Sequence, residues 1–357
     1  MSSWQDKIER AVVVALGRAP RPLQRLIAGD PPVTQGEPLH PEVGAALRVL
    51  GLLPASSFEE LPLAAARAQV DHEALIFGGP PLPMSRVRDL TIPTPDGGIR
   101  ARHYIADERD ADRLLVYFHG GGWVVGGLDS ADSACRFLAA QAGVSVLSVD
   151  YRLAPEHPFP AAPDDALTAF RFAVDQADAW GHDPELIGVG GDSAGGNLAA
   201  VLCQDLREGG EIRPAFQLLF FPVTDLSSKR GSYAEFRDGF FLTEAQMDWY
   251  RDHYLGEHPA DDPRVSPLLA ADLAGLPPAY VAVSGFDPLR DEGEAYAVRL
   301  AEAGVPVALR RHPGLVHAFV NATGVGHTGR EAMLEASGAL RLGLRAGVGR
   351  AARTSAP

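Results

Sequence analysis

The stretch Gly190-Gly191-Asp192-Ser193-Ala194-Gly195-Gly196 decides how this chain folds. It places a serine between glycines, at Gly191, Ser193 and Gly195. Ahead of it, Leu186-Ile187-Gly188-Val189 predicts a short apolar strand. Behind it, Asn197-Leu198-Ala199-Ala200-Val201-Leu202 predicts a buried helix. Strand, tight turn and helix, with serine at the apex, is the setting of a nucleophile elbow. So sharp a turn strains the serine backbone and leaves no room for side chains beside it. The helix N-terminus beneath the serine favours negative charge developing there.

A second motif, His119-Gly120-Gly121-Gly122-Trp123, follows the strand-like run Arg113-Leu114-Leu115-Val116-Tyr117-Phe118. Three glycines leave backbone N–H groups uncovered, so a reacting carbonyl oxygen can approach them. That is the requirement for an oxyanion hole, where one donor is typically worth roughly 2.7–4 kcal/mol of barrier. A third set of residues is C-terminal. Ala279-Tyr280-Val281-Ala282-Val283-Ser284-Gly285 predicts a strand, with Phe286-Asp287-Pro288-Leu289-Arg290-Asp291 as the loop after it. Another strand-like run, Val307-Ala308-Leu309-Arg310-Arg311-His312, leads to Gly314-Leu315-Val316-His317-Ala318-Phe319. Ser193, Asp287 and His317 thus stand in the order nucleophile, acid, base. The first interval has room for a cap insertion and two strands, the second for one helix and one strand.

On these residues the chain resembles the bacterial hormone-sensitive lipase family of α/β-hydrolases. The resemblance is to the branch whose elbow reads Gly-Asp-Ser-Ala-Gly-Gly, as residues 191–196 do here. It covers roughly residues 85–340 and includes His-Gly-Gly-Gly-Trp at 119–123. It also includes Asp150-Tyr151-Arg152-Leu153-Ala154-Pro155-Glu156 and Asp287-Pro288-Leu289-Arg290-Asp291-Glu292. The family often has glycine after its catalytic histidine, where this chain has Ala318. The N-terminus is longer than in many members. The resemblance implies an α/β-hydrolase fold, with a mostly parallel eight-stranded sheet, helices on both faces and a helical cap. It implies the triad Ser193, Asp287 and His317, with oxyanion donors on Gly121, Gly122 and Ala194 and Gly120 as the turn residue.

The rest of the chain fits that frame. Its 357 residues are 46% hydrophobic, enough for a sizeable core. A net charge of −14 repels nucleic acid and anionic membrane surfaces. Cys135 and Cys203 lie in apolar, helix-like contexts and read as reduced core thiols. The 11 histidines show no pairing at ligand spacing, so no metal and no cofactor is expected. Lys7 and Arg10 precede Ala11-Val12-Val13-Val14-Ala15-Leu16, a run too short for a secretory signal or a bilayer span. A cytoplasmic location and no stable membrane insertion follow as expectations. Trp4, Ile8, Val12 and Ala15 instead predict one apolar helix face, which packs on the body or over the site.

Residues 1–80 are expected to form an N-terminal helical cap segment, in which Ser57 and Glu60 predict a capping box opening a helix over 63–76. Residues 81–342 form the catalytic domain, beginning with a hairpin around Asp96-Gly97-Gly98. Alternating strand and helix runs follow and predict a largely parallel sheet. An aromatic-rich cap insertion interrupts them at about 225–270, and 343–357 reads as a frayed tail. Trp123, Phe240 and Phe241 are the candidate substrate-pocket residues.

Rivals exist for each role. Asp291 competes with Asp287, but Asp287 follows its strand directly; Asp291 and Glu292 read as caps of the next helix. His312 lies within a strand pattern and His327 in a Gly-rich stretch, so both yield to His317. His119, Asp192, Tyr151 and Glu156 read as braces of the glycine loop. The leading function is a serine carboxylesterase for short- to medium-chain acyl esters. An amidase or deacetylase with the same triad is the alternative. A non-catalytic small-molecule receptor is a reading of another class, which the presence of His317 opposes. A long-chain lipase is disfavoured by the acidic balance. The edge strand 307–312 predicts a homodimer, unless Arg310 and Arg311 act as blocking charges.

Overall fold

The computed structural model describes residues 4–52, 57–95, 97–107, 112–208 and 210–346. Side chains of residues 4–8 lie outside the described set. The N-terminal segment is helical in pieces: α1 (Trp4–Gly17), α2 (Arg21–Ala28), a short ribbon of β1 (Val33–Thr34) and β2 (Glu37–Pro38), then α3 (Pro41–Leu50) and α4 (Leu63–Phe77). The hairpin β3 (Arg86–Ile92) and β4 (Ile99–Ile105) follows. Strands and helices then alternate, as β5 (Leu114–Phe118), α5 (Asp132–Ala142), β6 (Ser145–Asp150), α6 (Ala161–Trp180), β7 (Ile187–Asp192), α7 (Ala194–Asp205) and β8 (Gln217–Phe220). The insertion supplies α8 (Gly231–Glu235) and α9 (Glu244–Leu255). The chain closes with β9 (Ala279–Phe286), α10 (Arg290–Glu302), β10 (Val307–Val316) and α11 (Thr328–Ala346).

The sheet has eight strands in the order β10-β9-β8-β7-β5-β6-β4-β3. β3, β4 and β6 pair antiparallel, and the pairs from β6 to β10 are parallel. The strands β5, β7, β8 and β9 are buried along their whole length, which explains their unbroken apolar runs. Alternation divides β5 between two cores. Leu114, Val116 and Phe118 pack with Phe170 of α6 and Leu198 of α7. Leu115 and Tyr117 pack with Phe137 of α5 and Met333 of α11. From β5 the chain turns to β6 on one side and later returns to β7 on the other. Such a switch in strand order opens a crevice at the carboxyl ends of the strands, where ligands bind. The glycine loop, Ser193, Asp287 and His317 all lie at those ends.

Four local expectations need correction. The capping box at Ser57 and Glu60 does not form: residues Phe58–Glu60 make a separate short turn, and α4 starts after Pro62. Proline disfavours helical backbone in the residue before it, so Leu61 is extended and the two turns cannot fuse. In α1 the buried residues are Val13 and Gly17, whereas Val12 and Ala15 face outward. Trp4 and Ile8 lie outside the residues whose side chains are described. The helix packs on α3 and α4 rather than on the strands, so a different face turns inward. The C-terminal boundary also moves. α11 continues to Ala346 with Leu344 buried, because its apolar face covers the sheet; residues 347–357 lie outside the described set. Glu292, read as a helix cap, is buried and accepts the backbone N–H groups of Thr224 at 2.7 Å and Asp225 at 3.3 Å. Burial pushes its carboxyl well above the usual range.

Arg290 joins distant segments. Its buried guanidinium donates to Glu235 at 2.9 Å, Asp291 at 2.8 Å, the Gly285 carbonyl at 3.2 Å and the Thr34 hydroxyl at 3.2 Å. It also lies 5.0 Å from the centre of the Phe236 ring. Cys135 and Cys203 are free and buried, as expected. Among the described residues no helix is long and apolar enough to cross a membrane.

Candidate active site

The turn between β7 and α7 holds Ser193 at φ 55° and ψ −117°, a conformation that costs a non-glycine residue on the order of 1–3 kcal/mol. The surroundings impose it. The Ser193 N–H donates to the Phe220 carbonyl at 2.9 Å. The Ser193 carbonyl accepts from Asn197 at 3.0 Å and Val223 at 3.2 Å. The Asn197 side chain donates to the carbonyls of Val223 and Val265, fastening the elbow to the loop after β8 and to the insertion. At Gly195 a Cβ would lie 1.9 Å from the Phe118 carbonyl oxygen, so only glycine allows α7 to lie this close to β5.

The loop after β9 presents Asp287, fully buried. One carboxylate oxygen accepts the Leu289 N–H at 2.9 Å, and the other lies 2.8 Å from His317 Nδ1. With Asp287 as acceptor, Nδ1 carries the hydrogen and Nε2 keeps its lone pair. The imidazole rests against the Phe221 ring, 4.4 Å between centres. Ala318, where the family prefers glycine, takes φ +64° and so bears some strain. The rivals are engaged elsewhere. Asp291 accepts from Ser232 and Arg290, His312 packs on Phe319, and the His327 N–H donates to Glu42.

The glycine loop is held from behind. Asp192 accepts the Gly120 N–H at 3.1 Å and the Tyr117 hydroxyl at 2.7 Å. Gly120 is thus a close-contact anchor rather than the turn residue: a Cβ there would meet Asp192 at 2.4 Å, and positive φ begins at Gly121. Burial raises the Asp192 carboxyl, opposed by the Tyr117 hydrogen bond. The His119 ring stacks on Tyr151 at 4.3 Å, and its Nδ1 lies 2.7 Å from the Gly120 carbonyl. Burial lowers the His119 pKa. The Tyr151 hydroxyl donates to the His119 carbonyl at 2.8 Å. Glu156 pairs with Arg67, which also donates to the carbonyls of Val124 and Ala154.

These bonds orient three peptide planes. In a trans peptide the N–H points opposite to the C=O. The carbonyl of Gly120 is bound by His119, that of Gly121 by Val124 and Val125, and that of Ser193 by Asn197 and Val223. The N–H groups of Gly121, Gly122 and Ala194 therefore point the other way.

His119, the three glycines, Ser193 and His317 line one cavity of about 470 Å³. Phe241 is among its lining residues. Trp123 and Phe240 are not. Trp123 is fully buried and stacks on Tyr254 at 4.1 Å, because its φ of 62° turns the side chain away from the mouth. Phe240 packs on Phe236 and Phe286, filling a small separate core. Tyr250, Phe58, Phe77 and Phe319 are aromatic lining residues that were missed; the Tyr250 ring lies 2.1 Å from where a Cβ of Gly122 would sit. The helical spacing gave a usable signal. Gln246 and Tyr250 of α9, and Gln69, Glu73 and Phe77 of α4, recur at four-residue intervals on faces that line the cavity. Among the described residues no cluster of three or more His, Cys, Asp or Glu could hold a metal ion.

The chain is similar to known α/β-hydrolases and ester hydrolases. The family described as alpha/beta hydrolase fold matches residues 115–321. The carboxylic ester hydrolase LipN of Mycobacterium tuberculosis is 43% identical over 89% of this chain and 88% of its own length. The ethyl acetate hydrolase of Pseudomonas putida is 40% identical over 79% of this chain and 92% of its own. A solved ester-hydrolase from the metagenome of Lake Arreo, complexed with a derivative of bipyridine phosphonate, superposes with a TM-score of 0.82 at 42% identity, covering 85% of this chain and 98% of its own. The hyperthermophilic esterase of Pyrobaculum calidifontis reaches 0.81 at 39% identity, covering 85% and 98%.

Proposed function

The chain belongs to the α/β-hydrolase fold family, and from that membership we propose that Ser193, Asp287 and His317 make it a serine carboxylesterase of the hormone-sensitive lipase branch. That it is a carboxylic ester hydrolase follows from relatives at 40–43% identity over most of the chain. One observation carries the triad reading: Asp287 holds His317 by Nδ1 at 2.8 Å, and His317 shares its cavity with a serine on a strained elbow.

The mechanism follows from the proton inventory. His317 Nε2 takes the proton of Ser193 as Oγ attacks the ester carbonyl. Negative charge moves onto the carbonyl oxygen, where the N–H groups of Gly121, Gly122 and Ala194 receive it. Asp287 stabilises the imidazolium. The imidazolium returns its proton to the leaving alcohol, and an acyl-enzyme remains. Water, deprotonated by His317, attacks the acyl carbon, and His317 returns the proton to Ser193 Oγ as the acid is released.

Several finer readings go with this. Residues 1–80 form the cap segment, with the insertion at about 225–270 completing it over a catalytic domain that starts near 81. The cavity is walled by α3, α4 and α9. Each methylene adds only about 0.8 kcal/mol of burial and must still fit, so acyl chains of about two to eight carbons should be preferred. A series of p-nitrophenyl esters tests this; a higher kcat/KM for the sixteen-carbon than for the four-carbon ester would overturn it. Deleting residues 1–35 removes α1 and α2, which pack on α3 and α4. KM should rise or Tm fall, with the serine still labelled by an organophosphate. A truncated enzyme with unchanged substrate range and Tm would show the segment to be dispensable.

The assembly is proposed to be a homodimer in the cytoplasm. β10 is an edge strand, and its unpaired N–H and C=O groups suit a second copy. Arg310 pairs with Glu335 and Arg311 with Glu294 in the same chain, so their charges are compensated at the edge. Sedimentation equilibrium at micromolar concentration should find twice the chain mass of 37.9 kDa. A single species at that mass would exclude the dimer.

A further inference from the structure

Three carboxylates line the cavity, and two have structural work. Glu42 accepts the backbone N–H groups of His327 and Thr328 at the start of α11. Asp192 holds the glycine loop. The third, Glu73 of α4, has one hydrogen-bond partner among the described residues, the Gln69 side-chain amide at 2.9 Å. No Lys or Arg among them pairs with it. Its neighbours on the same face of α4 are apolar, Val70, Ala74 and Phe77, and Leu47 and Leu50 of α3 line the same cavity. Burial raises its pKa, opposed by the Gln69 hydrogen bond and by the adjacent His72. Glu73 lines the same cavity as Ser193, His317 and Tyr250. Tyr250, whose ring covers Gly122, has its hydroxyl pushed up by burial first and by the Glu73 charge second.

A carboxylate in a mainly apolar wall, with no Lys or Arg paired to it and the adjacent His72 bound to Glu9, is unfavourable unless something else supplies a charge. We propose that Glu73 is a specificity-determining residue, and that the favoured ester carries a protonated amine on the part lying along α4. The proposal rests on the esterase reading above and names the substrate class it would serve. An ammonium group supplies both the missing charge and N–H donors, while the apolar wall takes the adjoining methylenes. A neutral alkyl ester of the same shape occupies the cavity but leaves Glu73 unpaired.

Two isosteric pairs test this at neutral pH. One places the charge on the alcohol, 2-(dimethylamino)ethyl butyrate against 3-methylbutyl butyrate. The other places it on the acyl group, methyl 4-(dimethylamino)butanoate against methyl 5-methylhexanoate. In at least one pair the wild-type enzyme should favour the cationic ester in kcat/KM. Glu73→Gln keeps the shape and the partnership with Gln69, and should lower that ratio by about tenfold or more. Glu73→Asp should restore part of it. Wild-type ratios below one in both pairs, or ratios within threefold of wild type in Glu73→Gln, would overturn the assignment. Failure of the wild-type enzyme on both neutral esters would instead count against the esterase reading.

Discussion

Replacing Ser193 by alanine is expected to lower kcat for a p-nitrophenyl ester by on the order of 10⁴-fold or more, with the fold unchanged. Only Oγ is lost. Alanine is smaller, so it introduces no clash, and the backbone bonds of residue 193 to Phe220, Asn197 and Val223 do not involve the side chain. Circular dichroism and Tm should match the parent. The residual rate should reflect the N–H donors and binding alone. An organophosphate should label the parent at Ser193 and leave the variant unmodified. A variant that kept most of its turnover would place the nucleophile elsewhere.

The second large effect is expected at Gly122. Alanine there would put Cβ 2.1 Å from the Tyr250 ring, at a φ of 57°. Either the ring or the loop must move. The loop is held on its far side by the Val124 and Val125 bonds to the Gly121 carbonyl, so its distortion falls on the Gly122 N–H. Losing one oxyanion donor typically costs 10²–10³ in kcat, so Gly122→Ala should fall by about that factor with a smaller change in KM. Adding Tyr250→Ala removes the clash and should recover part of the loss. A Gly122→Ala enzyme with kcat within threefold of the parent would exclude this N–H from the oxyanion hole.

The chemistry was legible in the sequence where it depends on neighbours along the chain. The elbow at 191–196 and the glycine loop at 119–122 are short-range geometries, and glycine is the residue type that permits them. The order of Ser193, Asp287 and His317 was legible because each follows a strand, and parallel strands bring their carboxyl ends together. The substrate pocket was harder to read. Whether Trp123 faces solvent, substrate or core depends on Tyr254, over a hundred residues away. Phe240 and Phe241 are adjacent, yet one fills a core with Phe286 and the other lines the cavity. The inward face of α1 is set by α3 and α4, not by its own apolar stripe. Pro62 overrode a capping pattern that was correct in residue type alone.

The contacts of Arg290 bear on how the molecule comes apart. One buried cation holds the N-terminal ribbon through Thr34, the insertion through Glu235 and the Asp287 loop through Asp291 and Gly285. Releasing any one of these leaves a largely buried charge short of a partner, which is unfavourable. The N-terminal segment and the sheet are therefore expected to unfold together. Gentle heating would not peel off residues 1–80 and leave a working sheet; both would melt in one transition, and activity would vanish with the same midpoint as the helices.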